Sequence, residues 1–271
     1  MSNVLRLKGI ADEDKALVSF EILKRMAEEG CVEHADSLTS YHIQKAIKLI
    51  QDSEGLSLKQ KVMIEWFYFG IFSFVGSESL CPKSINVAIA DDPKLFCELL
   101  CLAYLGKGDK KKARPKSDDQ QSQRVIMAWK TLHYWNGFPG HKGDGHVDAK
   151  KFSSWTKAVK AQTRKDGRLK VALMVIGNAA ARLPRLQKGF WMDETIARFL
   201  DAKVNDKALE SFGAGLYNAR GVHVLNAEKD KALAQEYMKM ADEADKKSYF
   251  NIGQTMRWLA AEVESTGKMF D

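Results

Sequence analysis

Residues 233–263, LAQEYMKMADEADKKSYFNIGQTMRWLAAEV, decide the fold class. Leu233, Tyr237, Met240, Ala241 and Ala244 recur at steps of three and four, and the spacing returns in Tyr249, Ile252, Met256, Leu259 and Val263. Each run predicts a helix with one buried stripe, and the few residues between them predict a helical hairpin. One segment earlier, Leu209, Phe212 and Leu216 form a third run that carries Gly213 and Gly215 inside it. A glycine in a helix interior costs about 1 kcal/mol relative to alanine, so another element is expected to approach that backbone closely. The run closes on Asn218-Ala219-Arg220-Gly221, with Gly221 as a left-handed cap and Arg220 at the negative end of the helix dipole.

Upstream, Arg168 to Leu183 is apolar nearly all round, which predicts a helix central to a core, with Gly177 letting a neighbour come close and Pro184 stopping it. Asp148 is placed to cap a helix bearing Phe152, Trp155 and Val159, and Asp92-Pro93 to start one bearing Phe96, Leu99 and Leu100. Val125, Ala128, Trp129 and Leu132 give another helix, which Asn136-Gly137-Phe138-Pro139-Gly140 breaks. Nearer the N-terminus, Asp12 to Glu29 reads as the first helix, Thr39 or Ser40 caps a second, and Ser57 starts a third through the apolar run Val62 to Val75. About ten helices, no convincing strand and no repeat of TPR or ankyrin length predict an all-α protein, an irregular stack of helical hairpins. It forms either one domain or two closely packed lobes. The expected boundaries are 1–106 for an N-terminal lobe and 122–271 for a C-terminal lobe. Between them, 107–121 is a basic surface linker with almost nothing apolar to bury, where limited proteolysis should cut first.

Hydrophobic residues at 45% and charged residues at 28% are ordinary globular values, which argues against disorder and against a membrane class. The run Val62 to Val75 is interrupted by Glu65 and is shorter than the roughly 20 residues that span a bilayer. No basic n-region precedes an apolar stretch at the start, and a cytoplasmic location is expected. Cys31, Cys81, Cys97 and Cys101 show neither CxxC pairing nor the spacing of a disulfide framework. Cys97 and Cys101 lie one helical turn apart, which could aim two thiolates at a metal, but free cysteine more commonly serves as a small core residue. His141, Asp144, His146 and Asp148 invite the same question. There Asp144-Gly145 is a turn dipeptide and Asp148 a helix cap, which accounts for both acids without a metal. No metal site and no cofactor are expected.

Charge is unevenly placed. Lys107 to Lys170 holds seventeen Lys plus Arg against six Asp plus Glu, a surplus of eleven that leaves the remainder at −4 against a total of +7. Such a block attracts nucleic acid or an acidic protein surface, or simply forms a solvated face.

The order of several short features resembles the C-terminal region of a set of large, poorly characterised bacterial helical proteins. They are Glu65-Trp66, Asp92-Pro93 with Phe96, Pro139-Gly140 with Asp144-Gly145, Trp155, Gly167-Arg168, Ile176-Gly177, Gly189 with Trp191, and Asn218 with Arg220-Gly221-Val222. The resemblance runs from about residue 60 to the end. It departs at Met192, where the pattern has proline, and at Asn226-Ala227, where it has Gly-Gly. It implies a bacterial helical module and carries over no catalytic residue.

Phosphate-binding glycine loops, HExxH, Gly-x-Ser-x-Gly and zinc-finger spacings are all missing from the sequence. The leading expectation is therefore a helical interaction or scaffold module that binds a protein partner. The first alternative is weak, sequence-independent nucleic-acid binding through the basic middle, presented by Lys150, Lys157 and Lys160. The second is an enzyme whose site is assembled from dispersed residues, nominally Glu65, Arg168, Asn218 and Arg220, with Glu65 otherwise read as the structural partner of an arginine from another helix or as a position at the edge of the apolar stripe.

Overall fold

The computed structural model describes residues 9–29, 37–72, 80–107, 109, 120–219 and 227–268. Among these it has twelve α-helices, two 3-10 turns and no strand; an isolated antiparallel bridge joins His141 to Val147. The protein is all-α. It divides into two compact units, Met1–Ile89 and Ala90–Asp271.

In the first unit, α1 (Asp12–Glu28), α2 (Ser37–Asp52) and α3 (Leu58–Phe67) pack pairwise around one cluster. Phe20 and Leu23 of α1 meet Ile43, Ile47 and Ile50 of α2 and Ile64 of α3. Each such side chain contributes about 1.5–3 kcal/mol when fully buried. Ser57 and Gln60 form a reciprocal capping box that starts α3. Helix α2 begins at Ser37, so Thr39 and Ser40 sit inside its first turn rather than capping it. The run after α3 also differs from the expected long helix. It stops at Phe67 and tightens into the 3-10 turn Phe69–Ile71, while residues 73–79 lie outside those described. This tighter turn buries Phe69 and Phe72, and Tyr68 donates its hydroxyl to the Leu23 carbonyl at 2.7 Å. Bulky aromatics lose rotamer freedom in a regular helix, and here tertiary packing overrides its continuation. The unit's last helix is α4 (Lys83–Asp91), whose final two residues fall beyond its boundary.

The second unit begins with α5 (Pro93–Ala103), capped as expected by Asp92, whose side chain accepts from the Lys94 amide. Then come α6 (Gln120–His133) and α7 (Ala149–Lys165), the latter capped by Asp148. Phe96 of α5 sits 4.9 Å from the Trp155 ring and 5.5 Å from the Trp135 ring, which ties α5 to this unit. The boundary expected at 106 and 107 therefore lies inside it. Of the predicted linker, Lys107, Asp109, Gln120 and Gln121 are described; 108 and 110–119 lie outside the described residues.

Helix α8 (Leu169–Ala180) packs against α5, α6, α7 and, most extensively, α10 (Asp206–Asn218). Its central place matches its sequence, although Met174 faces solvent. A short α9 (Glu194–Asp201) and a 3-10 turn (Lys203–Asn205) lead into α10. The chain closes with α11 (Ala227–Lys246) and α12 (Phe250–Lys268), which form the predicted hairpin. The stripes Tyr237, Met240, Ala241, Ala244 and Ile252, Met256, Leu259, Val263 are buried.

The hairpin turn places Ser248 at φ 63°, a left-handed conformation that side chains resist. The Tyr249 amide reaches back to the Ala244 carbonyl, so the helix end is otherwise well satisfied. We expect Ser248→Gly to raise stability by up to about 1 kcal/mol, the relief exceeding the entropy that glycine adds to the unfolded chain. Urea denaturation checks this; an unchanged or lower midpoint would refute it.

Candidate functional site

Of the four residues nominated from sequence, Glu65 and Arg168 are held by local structure. Glu65, 1% exposed, accepts from the amides of Ser84 and Ile85, at 2.9 and 2.8 Å, and from Gln51 Nε2 at 2.7 Å. Its partner is the start of α4 rather than the expected arginine. Burial raises its pKa, against the hydrogen bonds from Ser84, Ile85 and Gln51 that lower it. Arg168, 8% exposed, donates to the Tyr104 carbonyl and to Asp109 and thereby fastens both residues to the corner between α7 and α8. Asn218 is exposed at the end of α10, and Arg220 lies outside the described residues.

The three candidate lysines part company. Lys150 and Lys157 are exposed on α7. Lys160 instead turns inward, donates to Asn205 Oδ1 at 2.6 Å and lies 4.9 Å from the Phe199 ring centroid. Burial, and secondarily Arg164, lowers its pKa. Asn205 in turn donates to the Phe199 carbonyl, so Lys160 braces the 3-10 turn from behind.

Loop 141–148 is built as a turn. His141 Nε2 accepts from the Gly145 amide, Asp144 from the His146 amide, and Asp148 from the Lys151 amide. Among the described residues no group of three or more His, Cys, Asp or Glu converges on a point where it could hold a metal ion.

Among the described residues of the second unit, two grooves stand out as large enough to take a ligand. The larger, about 730 Å³ between α5 and α7, is lined by Cys97, Cys101, Glu98 and Gln162. Burial is the main cause pushing the Cys97 thiol up to about 11, and it raises Cys101 as well. Both thiols stay protonated near neutral pH, which makes them weak nucleophiles and weak metal ligands.

The second groove, about 490 Å³, is built from α9, the 3-10 turn, α10 and α12. Asp206, Leu209, Glu210 and Gly213 form one wall at helical spacing, and Asn251, Gln254, Thr255 and Trp258 form the other. Asp201 fixes the junction. Its carboxylate accepts from the Asn251 and Ile252 amides at 2.8 and 3.1 Å, capping α12, and its carbonyl accepts from Asn251 Nδ2. The expected close approach to α10 is present at both glycines. A Cβ at Gly213 would stand 2.9 Å from Thr255 Cγ2, and one at Gly215 would stand 2.7 Å from Ala181 Cβ. Trp258 lies off the buried stripe of α12 and is 50% exposed. That displacement was the available sequence signal for this site, and sequence reasoning passed over it.

Comparison with protein-family models, with curated proteins and with solved structures finds no match.

The groove's polar groups are mostly spent on architecture. Asp201 caps a helix, Thr255 donates to the Asn251 carbonyl, and Glu210 takes both its bonds from Lys207 at 2.6 Å. Such a surface offers shape, an indole face and a carboxylate rim, which suits recognition better than bond-making. No described helix is long and apolar enough to cross a membrane.

Proposed function

We propose that this chain is a helical interaction module that binds a protein partner through the groove between α10 and α12. The observation that carries the reading is the half-exposed Trp258 on the α12 wall, with Leu200 and Leu209 in the same lining. Large aromatics in preformed apolar clefts are the residues that dominate protein interfaces. The resemblance of residues 60 onward to a bacterial helical region fits a module of this kind. The test replaces exposed Gln254 in the groove, or exposed Lys157 on α7, with photo-reactive benzoylphenylalanine in cells expressing the chain. A protein adduct is expected from position 254 and not from 157, and it should disappear when Trp258→Ala is added. Equal yields from both positions, or none from 254, would overturn the reading.

Sequence-independent nucleic-acid binding is the second reading, and with Lys160 committed to Asn205 it rests on Lys150 and Lys157. Two phosphate contacts give a slope of log affinity against log salt of only about −1.8. A fluorescence titration of a short duplex should give equal, near-background signals for wild type and Lys150→Glu/Lys157→Glu at low and at physiological salt. A strong wild-type signal that the variant loses would transfer the function to nucleic acid.

A further inference from the structure

The groove's chemistry narrows what it takes. Asp201, Asp206 and Glu210 line it against one lysine, Lys203. With Asp201 spent on the α12 amides, Asp206 and Glu210 supply the outward negative charge, one helical turn apart at the start of α10. Lys207 pairs with Glu210, yet the carboxylate is 60% exposed and has acceptor capacity left. Opposite stands the indole of Trp258, the aromatic side chain that holds cations best over its face. Carboxylates beside an exposed indole suit an ammonium or guanidinium group, and the apolar floor at half-buried Leu209 suits the aliphatic stem or apolar neighbour that comes with it. An anionic occupant would instead face the Asp206 and Glu210 carboxylates.

We infer that the groove receives a basic amphipathic segment of a protein partner, with an arginine or lysine laid over Trp258 within reach of Asp206 and Glu210. The inference rests on the protein-binding reading above. The segment would present its apolar residues at helical spacing to the floor and its cations to the α10 wall. Affinity should fall with salt because the paired charges are solvent-exposed.

The test uses the full chain and fluorescein-labelled peptides in anisotropy titrations. One peptide carries two arginines and two leucines at helical spacing, and a matched one has glutamate for each arginine. The arginine peptide should bind at least about tenfold more tightly, Trp258→Ala should weaken it by about tenfold, and Asp206→Lys/Glu210→Lys should reverse the preference. These positions are exposed, and unchanged thermal unfolding of each variant confirms that the fold is kept. Equal binding of both peptides, or a preference that survives the charge reversal, overturns the inference. Free spermidine displacing the arginine peptide at equal concentration overturns it too, since the occupant would then be a small polyamine. The cross-link from position 254 separates the two claims. If it persists while charge makes no difference, the partner docks by apolar contact alone and only this inference falls. Should it vanish, both fall.

Discussion

Gly177→Ala is expected to destabilise the second unit by about 2 kcal/mol. Helix α8 and helix α10 touch backbone to backbone at this point. A Cβ built on Gly177 stands 1.9 Å from the Ala208 carbonyl oxygen, 2.7 Å from its carbon and 2.9 Å from its Cα. None of these atoms is the end of a pliable side chain, so relief requires one helix to move off the other. Such overpacking costs about 1–3 kcal/mol and sometimes more. Alanine's better helix propensity returns only about 1 kcal/mol. The displaced packing is also the most extensive that α8 makes, and α8 touches α5, α6 and α7 as well, so the strain spreads through the unit. Thermal unfolding should show a midpoint lowered by several degrees, at about 2–4 °C per kcal/mol for a unit of this size. Gly70→Ala is the control, since nothing lies within 4 Å of its added Cβ. A Gly177→Ala midpoint at or above that of wild type would show that the two helices do not meet as described.

This close approach was legible in the sequence, and the reason separates what could be read from what could not. Gly177, Gly213 and Gly215 cost helix propensity, and a repeated local cost advertises a compensating neighbour. The α11 and α12 hairpin, the caps at Asp92 and Asp148 and the helix start at Ser57 were readable on the same ground, because each is decided by residues within a few positions. Trp135 and Phe138 were not. Phe138 belongs to a stretch that reads as a helix breaker and Trp135 directly precedes it, yet both are buried, with Trp135 against Phe96 and Phe138 stacked on Phe152. Lys160 likewise looked like a member of a basic face, and only the position of Asn205, forty-five residues on, turns it inward. Helical spacing predicts a stripe but not which neighbour borrows from its edge. Trp258 was the intermediate case: it falls outside the stripe of its own helix, so its exposure could have been read, whereas the wall of Leu209 and Glu210 that makes a groove of it could not.

Glu65→Gln is expected to cost the first unit about 2 kcal/mol at neutral pH, although it changes one atom. Both carboxylate oxygens accept: Oε1 from Gln51 Nε2 and the Ser84 amide, Oε2 from the Ile85 amide. An amide has one acceptor and one donor, so in either orientation its NH₂ meets an N–H and a buried donor goes unsatisfied, a penalty of about 1–3 kcal/mol. The lost bonds fall on the first turn of α4, where backbone amides have no helical partner of their own. Hydrogen exchange at Ser84 and Ile85 should therefore accelerate in the variant while the α12 amides in the second unit stay protected. The sign of the pH dependence follows from burial. Because Glu65 is raised above its ordinary value of 4.5, the folded state binds a proton that the unfolded state releases. Its contribution is fully present below that ordinary value and is lost as pH rises through the raised one. The stability of wild type minus that of Glu65→Gln should thus grow as pH is lowered from 7 toward 4.5. Glu13 acts in the opposite direction within the same unit, since its bonds to Ser53 and to the Gly55 amide lower its pKa, but it is common to both proteins and cancels in the difference. A difference that stays flat or shrinks on acidification would mean that Glu65 is held as a fully charged cap, its hydrogen bonds outweighing the cost of burial.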